Sequence, residues 1–152
     1  MNVKGFFQSV RNEQYEIELL LSRRNDIISI PGLRYDRESV QTYANSDLSK
    51  TALKLLEFDK ELQNRINGLI DKKQQALRYI NTLQDSLQRS LMTIYYLDRK
   101  KIPGISATRP YTFFEIANML NVSPDYARHL HGYALQNIAK NLINSELETT
   151  IA

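Results

Sequence analysis

The chain has 152 residues, 42% of them hydrophobic and 24% charged, which is enough to bury the core of one domain or of one small domain with a helical extension. It has no cysteine, excluding disulfides, thiolate nucleophiles and Cys-based zinc sites. The net charge of +3 is unevenly spread: residues 1 to 50 are balanced at seven positive and seven negative, residues 51 to 102 carry ten against six, and residues 103 to 152 carry three against four.

The first segment spaces Val3, Phe6, Phe7, Val10, Ile17, Leu20, Leu21, Ile27 and Ile28 as one face of a helix. This predicts a helix from about residue 3 to about 29, ended by Pro31-Gly32. No signal peptide and no run near the roughly 18 apolar residues of a membrane span is visible, so a cytoplasmic protein with no membrane partner is expected. Residues 31 to 50 mix turn formers with Tyr35 and Val40, and read as an ordered loop anchored by those two.

Asp47 or Ser49 is placed to cap a second helix. Leu55, Leu62, Ile66, Leu69, Ala76, Ile80, Leu83 and Leu87 then alternate by three and four, with Lys73 in one seam position. Such a seam packs helices at a shallow angle, either as an antiparallel pair within the chain or between subunits. Leu62, Ile66, Leu69 and Ile80 are accordingly the candidate partner seam, and a homodimer is one of its uses. The expected division is a helical hairpin over 1 to 84, a second domain over 85 to 145, and a flexible polar tail over 146 to 152.

Asp85 restarts a helix through Leu87, Leu91, Met92, Ile94 and Tyr95 that ends near Asp98. Next comes a basic loop holding Arg99, Lys100, Lys101 and Arg109, punctuated by Pro103-Gly104 and Pro110. Thr112 and Glu115 have capping-box spacing ahead of a helix of about two turns that buries Ile116, Ala117 and Leu120. Asn121-Val122 turns the chain. Ser123-Pro124-Asp125 then supplies an N-cap, a proline at the first helical position and an acid at the positive end of the dipole. The last helix is expected to bury Ala127, Leu130 or His131, Ala134, Leu135, Ile138 and Leu142.

Two capped helices joined by three or four residues carry the spacing of a helix-turn-helix, in which the second helix lays its first turns in the DNA major groove. Asp125, Arg128 and His129 are the base-contact candidates, Arg128 foremost because its planar fork matches the two acceptors of guanine. Arg99, Lys100, Lys101, Arg109 and Tyr126 are the phosphate-contact candidates. Plain helical packing explains the same caps equally well. His131 and Gly132 read as structural: the histidine bonding a backbone carbonyl, the glycine permitting close approach. His129 and His131 lie on different sides of a helix, so no metal site is expected.

From Leu83 to Ile143 the chain resembles region 4 of bacterial sigma-70 factors, a helical domain containing a helix-turn-helix. EIANML and SPDYARHLHGYAL carry that likeness. Over nearly its whole length it resembles a group of small sigma-like proteins from phages and prophages of Gram-positive bacteria, related to the ArpU-type late transcriptional regulators. The RYDRESVQT stretch at Arg34 to Thr42 and the LHGYAL phrase at Leu130 to Leu135 carry this second likeness. The resemblance implies an all-α protein, a long helical pair followed by a sigma region-4-like unit, binding double-stranded DNA and touching host RNA polymerase.

No nucleophile elbow, P-loop or HExxH is present, so neither an enzyme nor a cofactor is expected. Two other functions fit the pattern. One is a phage small terminase subunit binding packaging-site DNA as a multi-subunit ring; the other is an adaptor of RNA polymerase with little DNA binding.

Overall fold

The structure is a computed structural model that describes residues 2–28, 45–105 and 107–151. Among these residues it is all-α, with five α-helices and one two-stranded ribbon: α1 (Val3–Ile28), α2 (Asn45–Asn81), α3 (Ser86–Met92), β1 (Lys100–Lys101), β2 (Thr108–Arg109), α4 (Phe113–Leu120) and α5 (Pro124–Ile151). The Pro31-Gly32 stop, the Tyr35 and Val40 anchors and the RYDRESVQT stretch lie outside the described residues.

The chain divides into two compact units, Glu13–Ile70 and a second formed by Met1–Asn12 with Asp71–Ala152. In the Glu13–Ile70 unit, α1 and α2 run antiparallel. Arg24 pairs with Asp59 through Nε at 2.6 Å and Nη2 at 3.1 Å, and Arg65 of α2 pairs with Glu13 and Glu16 of α1. Ile17, Leu62 and Leu69 are buried and Ile66 is half-buried. Ile80, in the other unit, is buried as well. These seam residues are thus covered within the chain itself.

In the other unit, Asn2 starts α1 by accepting the Gly5 amide on its side chain at 3.0 Å. A Cβ at Gly5 would stand only 3.0 Å from that side chain, so the glycine leaves room for the cap. Phe7 and Val10 are completely buried, and Phe7 packs on Tyr79 and Tyr96 with ring centroids 6.4 and 5.1 Å away.

Asp47 and Ser49, the two expected caps, lie inside the second helix, which stops at Asn81. Arg89 holds the following turn by donating from Nη1 to the carbonyls of Leu83 and Gln84 at 2.6 and 2.9 Å. The restart at Asp85 is as expected: its carboxylate accepts the Leu87 amide at 2.9 Å and caps α3.

Helix α3 passes into one π-helical turn, Thr93–Leu97, in which the Asp98 amide reaches back five residues to the Thr93 carbonyl. The widened turn sets Tyr95 and Tyr96 edge to face, ring centroids 4.7 Å apart. Leu91, Met92, Tyr96 and Leu97 are buried; around them lie Ile116 and Ala117 of α4 and Ala127, Leu130, Ala134 and Ile138 of α5. Buried residues three and four apart on α5 form one stripe that ends at Ile138. The helix continues through the segment read as a polar tail, and residues 143 to 151 are all exposed.

Candidate nucleic-acid interface

The turn between α4 and α5 is three residues long. Asn121 closes α4 in the left-handed conformation, φ 57° and ψ 45°, which asparagine tolerates better than most side chains. Its neighbour Val122 sends its amide back to the Ala117 carbonyl at 3.0 Å. Ser123 opens α5 by accepting the Tyr126 amide on Oγ at 3.1 Å. At the other end of α4 the capping box is complete: Thr112 Oγ1 accepts the Glu115 amide at 3.3 Å, and Glu115 Oε1 accepts the Thr112 amide at 3.2 Å.

Ala117 and Ala127 are both fully buried, and α4 packs on α5. Asp125, Tyr126, Arg128 and His129 are all exposed on the first turns of α5. Arg128 Nη1 donates to Asp125 Oδ1 at 2.8 Å, an exposed pair one helical turn apart. The carboxylate steadies the guanidinium and competes with anything else that would accept from it.

Basic residues of the 98 to 112 segment are more committed than the sequence suggests. Arg109 grips Glu115 with both terminal nitrogens, at 2.6 and 3.1 Å, and Lys100 donates to the same carboxylate. Arg109 and Lys100 together hold the Glu115 carboxyl well below its usual pKa. Two expected phosphate contacts therefore fasten the ribbon to the start of α4. Arg99 donates to the Thr108 hydroxyl and carbonyl, both at 3.1 Å, bracing β1 against β2. Lys101 is exposed.

His131 does not bond a backbone carbonyl as expected. Its Nε2 lies 2.7 Å from the Tyr96 hydroxyl, inside a cage with Tyr95 and Phe113, ring centroids 5.0 and 5.4 Å away. Arg11 stands over the outer Tyr95 ring at 4.4 Å. Burial, aided by the charges of Lys4 and Arg11, pushes the imidazole down to about 4. Gly132 is not at a close approach either: a Cβ there would meet nothing within 4 Å.

Three features escaped the sequence reading. Arg89 was one cation among many, the π turn leaves no periodicity signal in five residues, and the Tyr96–His131 pair joins residues 35 apart. A shallow polar groove of about 350 Å³ lies between the 82 to 85 turn and Gln88, Asn137 and Asn141. Its amides bond across it, Asn137 to Gln88 at 3.2 Å and Asn141 to the Thr82 carbonyl at 3.1 Å, so it joins α5 to the turn. Lys73 is half-buried, and burial lowers its pKa against the opposing pull of Asp98.

Among the described residues, no cluster of histidines and carboxylates could hold a metal ion, and no helix is long and apolar enough to cross a membrane. No protein-family model, curated protein or solved structure matches the chain.

Proposed function

We propose that this chain is a non-enzymatic, sequence-specific binder of double-stranded DNA. In this reading α4 and α5 form a helix-turn-helix, and the protein is a sigma-like regulator of late genes in phages or prophages that works in the cytoplasm beside host RNA polymerase. The observation that carries the reading is the exposure of Asp125, Tyr126, Arg128 and His129 on two turns whose inward residues, Ala127 and Leu130, are buried. That exposed face stands at the N-terminal end of a long helix, where a recognition helix meets base edges.

Arg128 is the base reader. It must leave or share Asp125 when it donates both nitrogens to guanine, so binding exchanges one charge-assisted bond for two. His129 and Asp125 contact neighbouring bases, and Tyr126 the backbone. Lys101 supplies a phosphate contact directly, whereas Arg99 does so while bracing Thr108, and Lys100 and Arg109 while still tied to Glu115.

The same ion pairs favour a second reading. With Arg128 paired to Asp125 and both Lys100 and Arg109 paired to Glu115, three cations of the candidate interface are already engaged, which suits an adaptor that binds RNA polymerase and barely touches DNA. Selection of binding sites from random duplexes at low salt separates the two. An enriched sequence supports the regulator; retention of no duplex transfers the function to a protein partner.

A further inference from the structure

The last turns of α5 have a chemistry that the DNA reading leaves unused. Residues 143 to 151 are nine consecutive exposed positions, and three of them are large aliphatics: Ile143 at 57%, Leu147 at 55% and Ile151 at 85% exposure. Spaced by four, they share one side of the helix. That side continues backward through Lys140, half-covered Ala139 and exposed Gln136. It lies roughly opposite the buried stripe of Ala127, Ala134 and Ile138, at 3.6 residues per turn. Short helical ends with no tertiary support have little stability of their own, and an apolar stripe on one makes a packing partner the natural source of order.

We propose that this face is an interface with a second copy of the chain, formed by two α5 helices crossing antiparallel at Ile143. The register follows from charge. An antiparallel pair centred on residue 143 sets each position opposite the one equally far on the other side, so Lys140 meets Glu146 of the second copy and the symmetry repeats the pair. Leu147 falls against Ala139, large on small, and Gln136 against Thr150, while Ile143 meets itself across the twofold axis. A parallel pair would instead put lysine on lysine and glutamate on glutamate. Both halves of the complementarity are written on one helix, which points to a second copy rather than to a foreign chain. Because the buried stripe faces away from the crossing, the approaching helix meets no packed side of its partner. Residues 125 to 129 lie outside the segment, so the inference does not rest on DNA binding.

Analytical ultracentrifugation of the full chain without DNA tests it. A seam this short belongs among small interfaces, so association is followed from about 1 to about 300 µM protein. The wild-type chain is expected to pass from monomer to dimer over that range, and Ile143→Asp and Leu147→Asp to remain monomeric. Lys140→Glu and Glu146→Lys should each weaken association about tenfold, since each places two like-charged pairs across the seam. Mixing those two variants one to one should restore a dimer, because both crossings then pair opposite charges. A wild-type chain that stays monomeric throughout, a dimer indifferent to the aliphatic substitutions, or a mixture that associates no better than its components each overturns the proposal. All four positions are solvent-facing, and unchanged helical circular dichroism shows that the variants fold.

Discussion

The hydroxyl of Tyr96 and Nε2 of His131 are 2.7 Å apart, joining the π turn to the middle of α5 within a wall of aromatic rings. A native imidazole at about 4 lies below the 6.5 of an unfolded chain. The unfolded state therefore takes up the proton first as pH falls. Stability from this group is complete above about pH 6.5 and drains away between there and about pH 4. The melting temperature of the wild type should drop on going from pH 7 to pH 5. His131→Gln, which keeps a hydrogen bond to Tyr96, should melt lower at pH 7 but drop less, and parallel pH curves for the two chains would rule the assignment out.

Phe7 is fully buried against Tyr79 and Tyr96 although it stands at the start of α1. Phe7→Ala is expected to cost about 3 to 5 kcal/mol in urea denaturation. Phe114→Ala, at a ring 64% exposed, should stay within about 0.5 kcal/mol of the wild type. A mild effect at Phe7 would mean that the first turns of α1 contribute nothing to the unit they pack in.

Thr112 and Glu115 close the front of α4, and Thr112→Ala should cost about 1 kcal/mol. The depressed carboxyl of Glu115 contributes stability that is present above its ordinary pKa of 4.5 and is lost as pH falls through its lower native value. Amide hydrogen exchange checks both: the α4 amides should exchange faster in Thr112→Ala and in Glu115→Gln, and acid should accelerate exchange less in Glu115→Gln than in the wild type.

Ala117 is completely buried where α4 packs on α5. Ala117→Leu should destabilise by about 1 to 3 kcal/mol, read by chemical denaturation, because the added methylenes force the helices apart. The same change should abolish any DNA binding that depends on their crossing.

On DNA, Arg128→Ala should weaken specific binding by about 1 to 3 kcal/mol and relax preference at one base position. Lys101→Ala should weaken all duplexes alike and flatten the logarithmic salt dependence by about 0.9 for one lost phosphate contact. Equal loss on every duplex for Arg128→Ala would remove it as a base reader; titration by electrophoretic shift at several salt concentrations measures both effects.

What the sequence makes legible here is local chemistry. The restart at Asp85, the Thr112–Glu115 box and the Ser123-Pro124 opening each involve residues within three positions of one another, and each has its expected partner. What it leaves hidden is chosen by distant neighbours. The helical periodicity of α2 runs past Asn81, and the stop is held by Arg89 donating across the turn. Phe6 and Phe7 mark the apolar face of α1 but not the rings of Tyr79 and Tyr96 that receive it. Of the candidate interface, the outward residues of α5 could be counted from the cap. The capture of Lys100 and Arg109 by Glu115 could not, because it depends on how the ribbon folds back.

Phe7 touches Tyr96, and Tyr96 reaches His131, so the earliest residues of the chain share a core with some of the latest. During translation, at about 5 to 20 residues per second, the beginning of α1 leaves the ribosome many seconds before its partners exist. That dozen residues must wait with its phenyl rings uncovered, and the unit it belongs to can close only after α5 has been made.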